Sequence, residues 1–318
     1  MTRIAIDWGS TSFRAYRFDD HGALQDTLAL PAGIKTAQNL EAAERSAWFE
    51  KTLLDAVGQW LGSGESLLLS GMITSRNGWH ESPYLDCPVT LSALLPQAFE
   101  VDCRSHRLKF LPGVALRDQG ADVMRGEELQ LIGLTGVEPA TYVMPGTHCK
   151  WVLANRDTLF SFRTFPTGEL FDVLLKHTLI GGLAAQEGSD HTAEAAGSSV
   201  FADAVQKGYR EKGFMASLFF ARAGVLLEKL QPDEVRAYLS GLLIGREIGE
   251  AMAVLFDAVS DSALATRHAD PKGALTLVGD SALCALYQQA LEVLGIESCY
   301  EERDTTVMSF QTLLFDTD

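Results

Sequence analysis

The segment Asp7-Trp8-Gly9-Ser10-Thr11-Ser12 stands between two strand-like runs, Ile4 to Trp8 and Phe13 to Phe18. Phosphate oxygens need several donors close together, and a turn of small residues such as Gly9, Ser10 and Thr11 lets N–H groups and hydroxyls approach them. A carboxylate just before such a turn, here Asp7, suits Mg²⁺, a hard cation that keeps its waters and prefers oxygen. A plain structural turn has much the same composition, so the segment alone decides little. It has a counterpart in Met144-Pro145-Gly146-Thr147-His148-Cys149-Lys150-Trp151, where Gly146, Thr147 and His148 form the turn. A third small-residue turn, Gly279-Asp280-Ser281, follows the apolar run from Thr276 and opens a helix over Cys284 to Leu294.

The elements that must hold these turns show an internal repeat. Each of the first two turns is followed by a second strand, a polar hairpin and a third strand: Ala23 to Leu30 in one case, Thr158 to Phe165 in the other. Duplication of such a unit at a spacing of about 140 residues is a fold-level signal. A length of 318 residues also exceeds what one core normally organises. We place the boundary near Val137-Glu138-Pro139, giving lobes of 1–138 and 139–318. In the first, Asn39 to Leu61 has apolar residues at helical spacing, and Leu67-Leu68-Leu69 reads as a buried strand ending at Ser70-Gly71. A helix is expected from about Ala121 to Leu134. The second lobe is helix-rich from Glu169 to about Ala258.

The formal charge of −16 disfavours nucleic acid and anionic membrane surfaces as partners. It also means that an anionic substrate needs a local cation. No apolar run is long enough to cross a bilayer, and the start of the chain has no basic-then-apolar leader, which points to the cytoplasm. The cysteines (Cys87, Cys103, Cys149, Cys284, Cys299) are odd in number and scattered, as expected of reduced thiols. No G-x-G-x-x-G opens a helix after the first strand, which argues against a dinucleotide-binding oxidoreductase.

The Gly9-Ser10-Thr11 and Gly146-Thr147-His148 turns, if they faced each other across a cleft, would clamp the two ends of a triphosphate. That arrangement, together with a Gly279 turn that looks like an adenosine motif, resembles the actin-like sugar-kinase superfamily. Within it, Ser70-Gly71-Met72-Ile73-Thr74-Ser75-Arg76-Asn77-Gly78-Trp79, Asp122 to Gln130 and Pro145 to Trp151 together resemble the 2-dehydro-3-deoxygalactonokinase family. The resemblance spans residues 1 to about 300. It implies an α/β, two-lobed actin-like ATPase (ribonuclease H-like) fold with duplicated β-hairpin units and a central cleft. It further implies phosphorylation of the 6-hydroxyl of 2-dehydro-3-deoxy-D-galactonate with ATP and Mg²⁺, a step of galactonate catabolism by the DeLey-Doudoroff route. The partners would be the sugar acid and ATP, with a homodimer left open. Kinases for other acidic or neutral sugars share these features, and so could a non-catalytic nucleotide-binding regulator.

The resemblance also distributes roles. Asp7 would organise Mg²⁺. Gly9, Ser10, Thr11, Gly146, Thr147 and His148 would hold phosphates, and Gly279, Asp280 and Ser281 the nucleoside. The catalytic base falls to Asp122 or Glu127, with Glu128 behind them; as plain structure, Asp122 is a helix cap and Glu127 a first-turn acid. Arg76 would pair with the substrate carboxylate while Trp79 covers a sugar face. Otherwise these two are a surface arginine and a core tryptophan. Arg125 serves either the substrate or a structural ion pair.

Overall fold

The computed structural model describes residues 3–315 apart from 63, 118–119, 135, 137–138, 186–197, 211–212 and 261–274, and side chains 255–260 are also left aside. Two compact units divide the chain. One takes in Met1–Val137, Ala154–Ser161 and Arg303–Asp318, the other Glu138–Leu153 and Phe162–Glu302. The residue pair expected to mark the lobe boundary, Val137 and Glu138, lies outside the described residues.

In the N-terminal unit, β1 (Arg3–Trp8) and β2 (Phe13–Phe18) form a hairpin that places Asp7 opposite Arg14, and β3 (Leu24–Leu30) pairs with β2. β4 (Ser66–Ser70) lies parallel to β1 on one side. Its other neighbour, also parallel, is β8 (His106–Phe110), itself paired with β7 (Phe99–Cys103). The sheet order is β3-β2-β1-β4-β8-β7. β4 is a continuous apolar run because both of its faces are covered: Leu67, Leu68 and Leu69 are all buried. The helix α1 (Ala42–Val57) buries Phe49, Leu53, Ala56 and Val57 against Ile4, Ile6 and Trp8. Trp8 is fully buried; its indole N–H donates to the Ala32 carbonyl at 2.7 Å, and its ring packs edge-on against Phe13 and Phe49.

Between β4 and the next unit lie β5 (Tyr84–Asp86), the short β6 (Val89–Thr90), β9 (Gly113–Leu116) and β10 (Asp122–Met124). β10, β9 and β5 make a small sheet of their own. The expected helix over Ala121 to Leu134 is thus replaced by β10 and a 3₁₀ helix at Glu127–Leu131. Gly126, at φ +108°, takes a left-handed turn there that breaks any helix across the segment.

The C-terminal unit contains β11 (Ala140–Met144), β12 (Cys149–Ala154), β13 (Thr158–Phe165), β14 (Leu275–Leu277) and β15 (Ser298–Tyr300). Their order is β15-β14-β11-β12-β13, with β14 parallel to both β11 and β15. The first residues of β13 are grouped with the N-terminal unit, where Leu159 pairs with Val89 of β6. Counted in chain order within each sheet, the C-terminal strands run 3-2-1-4-5 and the N-terminal ones 3-2-1-4-6-5, so the repeat read from the sequence is a repeat of a 3-2-1-4 sheet core. Five helices accompany this sheet among the described residues: α2 (Thr167–His177), α3 (Ser199–Arg210), α4 (Phe214–Leu226), α5 (Val235–Ser260) and α6 (Ser281–Val293).

A last helix, α7 (Thr305–Phe315), returns to the N-terminal unit instead of staying with the C-terminal lobe to which the tail was assigned. Phe310 packs on Tyr16, Ser309 donates to the Ile132 carbonyl, and Gln311 reaches the Gly22 carbonyl at 2.8 Å.

Candidate active site

The site begins with an acidic cluster in the N-terminal unit. Asp7 is the last residue but one of β1, and its carboxyl is pushed up to about 6 from an ordinary 3.8. Burial is the main cause; Glu127 and Asp304 add to it, and Arg14, with Nη1 3.9 Å from the carboxylate, opposes it. The Tyr16 hydroxyl responds to burial and then to Asp7 and Asp304, rising to about 12. Glu128 is 1% exposed and pushed up to about 7 by burial and then by Glu127, although the Gly126 N–H binds both its oxygens at 2.7 and 2.9 Å.

Two glycines allow these acids to gather. Gly71 has φ +92°, and a Cβ there would lie 2.9 Å from the Trp8 carbonyl and 3.0 Å from Asp7 Oδ1. A Cβ on Gly126 would stand 3.1 Å from the Gly71 Cα. The end of β4 and the Gly126 turn therefore close on Asp7 only with hydrogens at both positions. Asp304 enters by another route: its carboxylate caps α7, accepting from the N–H groups of Thr306 and Val307 at 3.0 Å each. The sequence reading missed it. Asp304-Thr305-Thr306 has the pattern of a helix N-cap, which was the available signal.

Asp7 and Glu128 bind protons in the folded state that their unfolded counterparts have already lost, so the native state binds more protons between roughly pH 4 and 7. Stability from these two groups must therefore fall as pH rises through that window. Thermal melts in chelator from pH 4 to 8 should show a declining contribution that Glu128→Gln removes at its upper end.

Of the acids proposed as base, Glu127 is the one whose charge bears on Asp7; its Oε2 accepts the Arg125 N–H at 3.1 Å. Asp122 begins β10 and accepts the Val123 N–H at 2.8 Å, so it caps no helix.

Arg125 is buried and lies over the Tyr84 ring, 4.2 Å from its centroid. Its guanidinium donates to the carbonyls and hydroxyls of both Thr74 and Ser82 at 2.6–2.9 Å. These bonds lock the 71–86 loop onto β10 and give Arg125 a structural role in place of the substrate contact. Trp79 likewise joins the core edge, stacked on Phe49 with its N–H donating to Ser46 Oγ at 3.0 Å. Arg76 is 86% exposed, with Nε 3.8 Å from Glu81.

The first turn is anchored from behind. Gly9, Ser10 and Thr11 direct their carbonyls to the N–H groups of Ile34, Lys35 and Gly33, each at 3.1 Å. With its acceptors satisfied inside the protein, the turn suits an anion. Beside it opens a polar cavity of about 390 Å³ lined by Ser10, Lys35, Asn39, Arg45, Met72 and Asn77, among others. Among the described residues, neither the Lys35 nor the Arg45 side chain makes an ion pair. The sequence reading overlooked both cations, because nothing in their spacing brings them to the turn.

In the C-terminal unit, the second turn rests on the start of α2. Glu169 donates its N–H to the Thr147 carbonyl at 3.0 Å, and its carboxylate meets His148 Nε2 at 2.8 Å. A Cβ on Gly168 would lie 2.5 Å from the Gly146 carbonyl, so only glycine permits this contact. Gly279, at φ +131°, comes up to the same turn, where its Cβ would stand 3.7 Å from the Pro145 carbonyl. Asp280 caps α6 by accepting from Ala282 and Leu283. A largely apolar cavity follows, lined by Gly146, Thr167, Phe171, Leu243, Leu283 and Tyr287 among others.

The family model described as 2-keto-3-deoxy-galactonokinase matches residues 7–310. The chain belongs to that family. It is 35% identical over 305 residues to the 2-dehydro-3-deoxygalactonokinase of Escherichia coli (strain K12), covering 95% of this chain and 93% of the relative. A Rhizobium meliloti relative given the same enzyme name provisionally is 34% identical over 311 residues, with the same coverage. A crystal structure of a Sinorhizobium meliloti protein, again provisionally so named, superposes with a TM-score of 0.81 at 32% identity, covering 98% of this chain and 97% of its own. As a 2-keto-3-deoxy-galactonokinase family member the chain is a kinase with the actin-like ATPase fold, and the 3-2-1-4 strand order shared by its two larger sheets fits that fold.

Proposed function

We propose that the protein transfers the γ-phosphoryl group of ATP to the 6-hydroxyl of 2-dehydro-3-deoxy-D-galactonate in the catabolism of galactonate. The observation that carries the chemistry is the gathering of Asp7, Glu127 and Asp304 beside the Gly9-Ser10-Thr11 turn, with Asp7 raised to about 6. Burial first, and the charges of Glu127 and Asp304 after it, disfavour a bare carboxylate at Asp7; Mg²⁺ would offset this, held by Asp7 and Asp304, and would neutralise charge on the phosphates. Glu127 is the base: its carboxylate takes the proton of the sugar hydroxyl as that oxygen attacks phosphorus and ADP leaves. Ser10, Thr11, Gly146, Thr147 and His148 hold phosphate oxygens, and Gly279, Asp280 and Ser281 border the nucleoside.

An acidic sugar needs a cation in a protein of charge −16. We assign its carboxylate to Lys35 and Arg45 in the cavity beside the first turn, with Arg76, next to Asn77 of that cavity, as the third cation within reach of the loop. Losing a charge-assisted hydrogen bond costs about 1.5–3 kcal/mol, or roughly ten- to a hundred-fold in kcat/KM. The double variant Lys35→Ala/Arg45→Ala should show a loss of this order for the acidic sugar, with the KM for ATP unchanged. A larger loss in Arg76→Ala than in the double variant would move the carboxylate to the 71–86 loop. For the nucleotide, Gly279→Val should raise the KM for ATP far more than that for the sugar, since no β-branched residue accommodates φ +131°. Equal changes in both would count against this placement.

A further inference from the structure

We propose that Glu247 is a positioning residue for the nucleotide: a buried carboxyl that ties the strand leaving the second phosphate turn to the wall of the apolar cavity beside it. The proposal rests on reading that cavity as the nucleoside site. Glu247 lies on α5, is 3% exposed and does not line the cavity itself. Its Oε1 accepts the Trp151 indole N–H at 2.7 Å, and its Oε2 accepts the Tyr287 hydroxyl at 2.7 Å. The side chains of Cys149 and Thr167 also hydrogen-bond to it.

The four partners come from three further elements that meet at the site. Cys149 and Trp151 are on β12, which begins where the Gly146-Thr147-His148 turn ends. Thr167 opens α2 and precedes Gly168, which packs against Gly146. Tyr287 is on α6, the helix capped by Asp280. Thr167 and Tyr287 both line the cavity. An ionised carboxylate is the side chain that only accepts and offers about four lone-pair sites, which matches four donors. Burial raises this carboxyl above its usual range, and all four hydrogen bonds oppose that rise. An apolar core would have enclosed the space without this cost. The carboxyl instead fixes the distance between phosphate turn and cavity wall, which must match the span from phosphates to base in one nucleotide.

Glu247→Gln keeps one acceptor oxygen for the Trp151 N–H and turns an NH₂ group toward Tyr287, whose hydroxyl must then give up the bond it donates. Tyr287→Phe keeps the ring and removes one bond. In steady-state assays of the full chain, Glu247→Gln should raise the KM for ATP about ten-fold and Tyr287→Phe about three-fold, with the KM for the sugar acid moving less than about two-fold. Glu247→Leu, which leaves every donor unmatched, should be worse than Glu247→Gln on the ATP side. A fall in melting temperature with the KM for ATP unchanged would overturn the proposal and leave a network that only stabilises the fold. So would equal shifts in both KM values. If Glu247→Gln does not fold, Tyr287→Phe decides. Ser240→Phe, which fills the cavity, separates the two readings. An unchanged KM for ATP in Ser240→Phe removes the nucleoside site and the proposal with it. A raised value there, with the Glu247 and Tyr287 variants normal, removes the positioning role alone.

Discussion

Glu127→Gln is expected to lower kcat by roughly a hundred- to ten-thousand-fold, with the KM for the sugar acid little changed. The amide keeps the shape of the side chain and can still accept the Arg125 N–H, so the Gly126 turn should survive. What it loses is the capacity to take the proton of the sugar hydroxyl, and that capacity matters only as the transition state forms. Among the acids of this segment, Glu128 is buried with both oxygens on the Gly126 N–H, and Asp122 belongs to β10. Glu127 is half-buried and shares the field of Asp7. Steady-state kinetics of Glu127→Gln beside Asp122→Asn separate the candidates. A larger loss of kcat in Asp122→Asn than in Glu127→Gln would transfer the role.

Asp7→Asn should weaken the apparent affinity for Mg²⁺ by about 10–100-fold, the usual effect of removing a group that orients a bound metal's shell. A second readout does not depend on turnover. The Asp7 carboxyl is raised to about 6, so in the metal-free protein its ionisation costs stability between roughly pH 4 and 6. Asn cannot ionise, and the part of the pH dependence that belongs to Asp7 should vanish from the melts. Near-normal activity of Asp7→Asn at limiting Mg²⁺ would show that the metal is held elsewhere.

The strands were legible because their periodicity and turns are local. Residues 4–8, 13–18, 141–144, 150–154 and 158–165 were read from apolar runs bounded by turn chemistry, and the structure has strands at each. The sheet order that makes the two units repeats was not readable, because parallel pairing joins residues far apart in sequence. The segment 121–134 read as a helix because its apolar spacing allows one. Gly126 closes against Gly71 instead, and that contact decides the backbone. The helix over residues 305–315 was not readable for the opposite reason. Thr305, Thr306, Ser309 and Phe310 are buried by β2 and the 127–131 turn, so α7 owes its stability to packing more than to propensity.

The site divides along the same line. Asp7, the two small-residue turns after β1 and β11 and the Gly279 turn announce themselves as short motifs. Arg125 and Trp79 look functional in sequence because a cation and an aromatic near a polar loop suit a sugar. Their hydrogen bonds to Thr74, Ser82 and Ser46 commit them to the scaffold. Lys35, Arg45 and Glu247 carry no motif and Asp304 only that of a helix cap, so the folded chain alone brings them to their places.

The most direct test is ADP release by the purified protein over a panel of aldonates, 2-keto-3-deoxy-aldonates and neutral hexoses, at fixed ATP and Mg²⁺. The expected result is turnover of 2-dehydro-3-deoxy-D-galactonate with a kcat/KM well above that of every neutral sugar, with phosphate found on the 6-hydroxyl. Preference for a neutral hexose, or ADP release that no sugar acid stimulates, would contradict it.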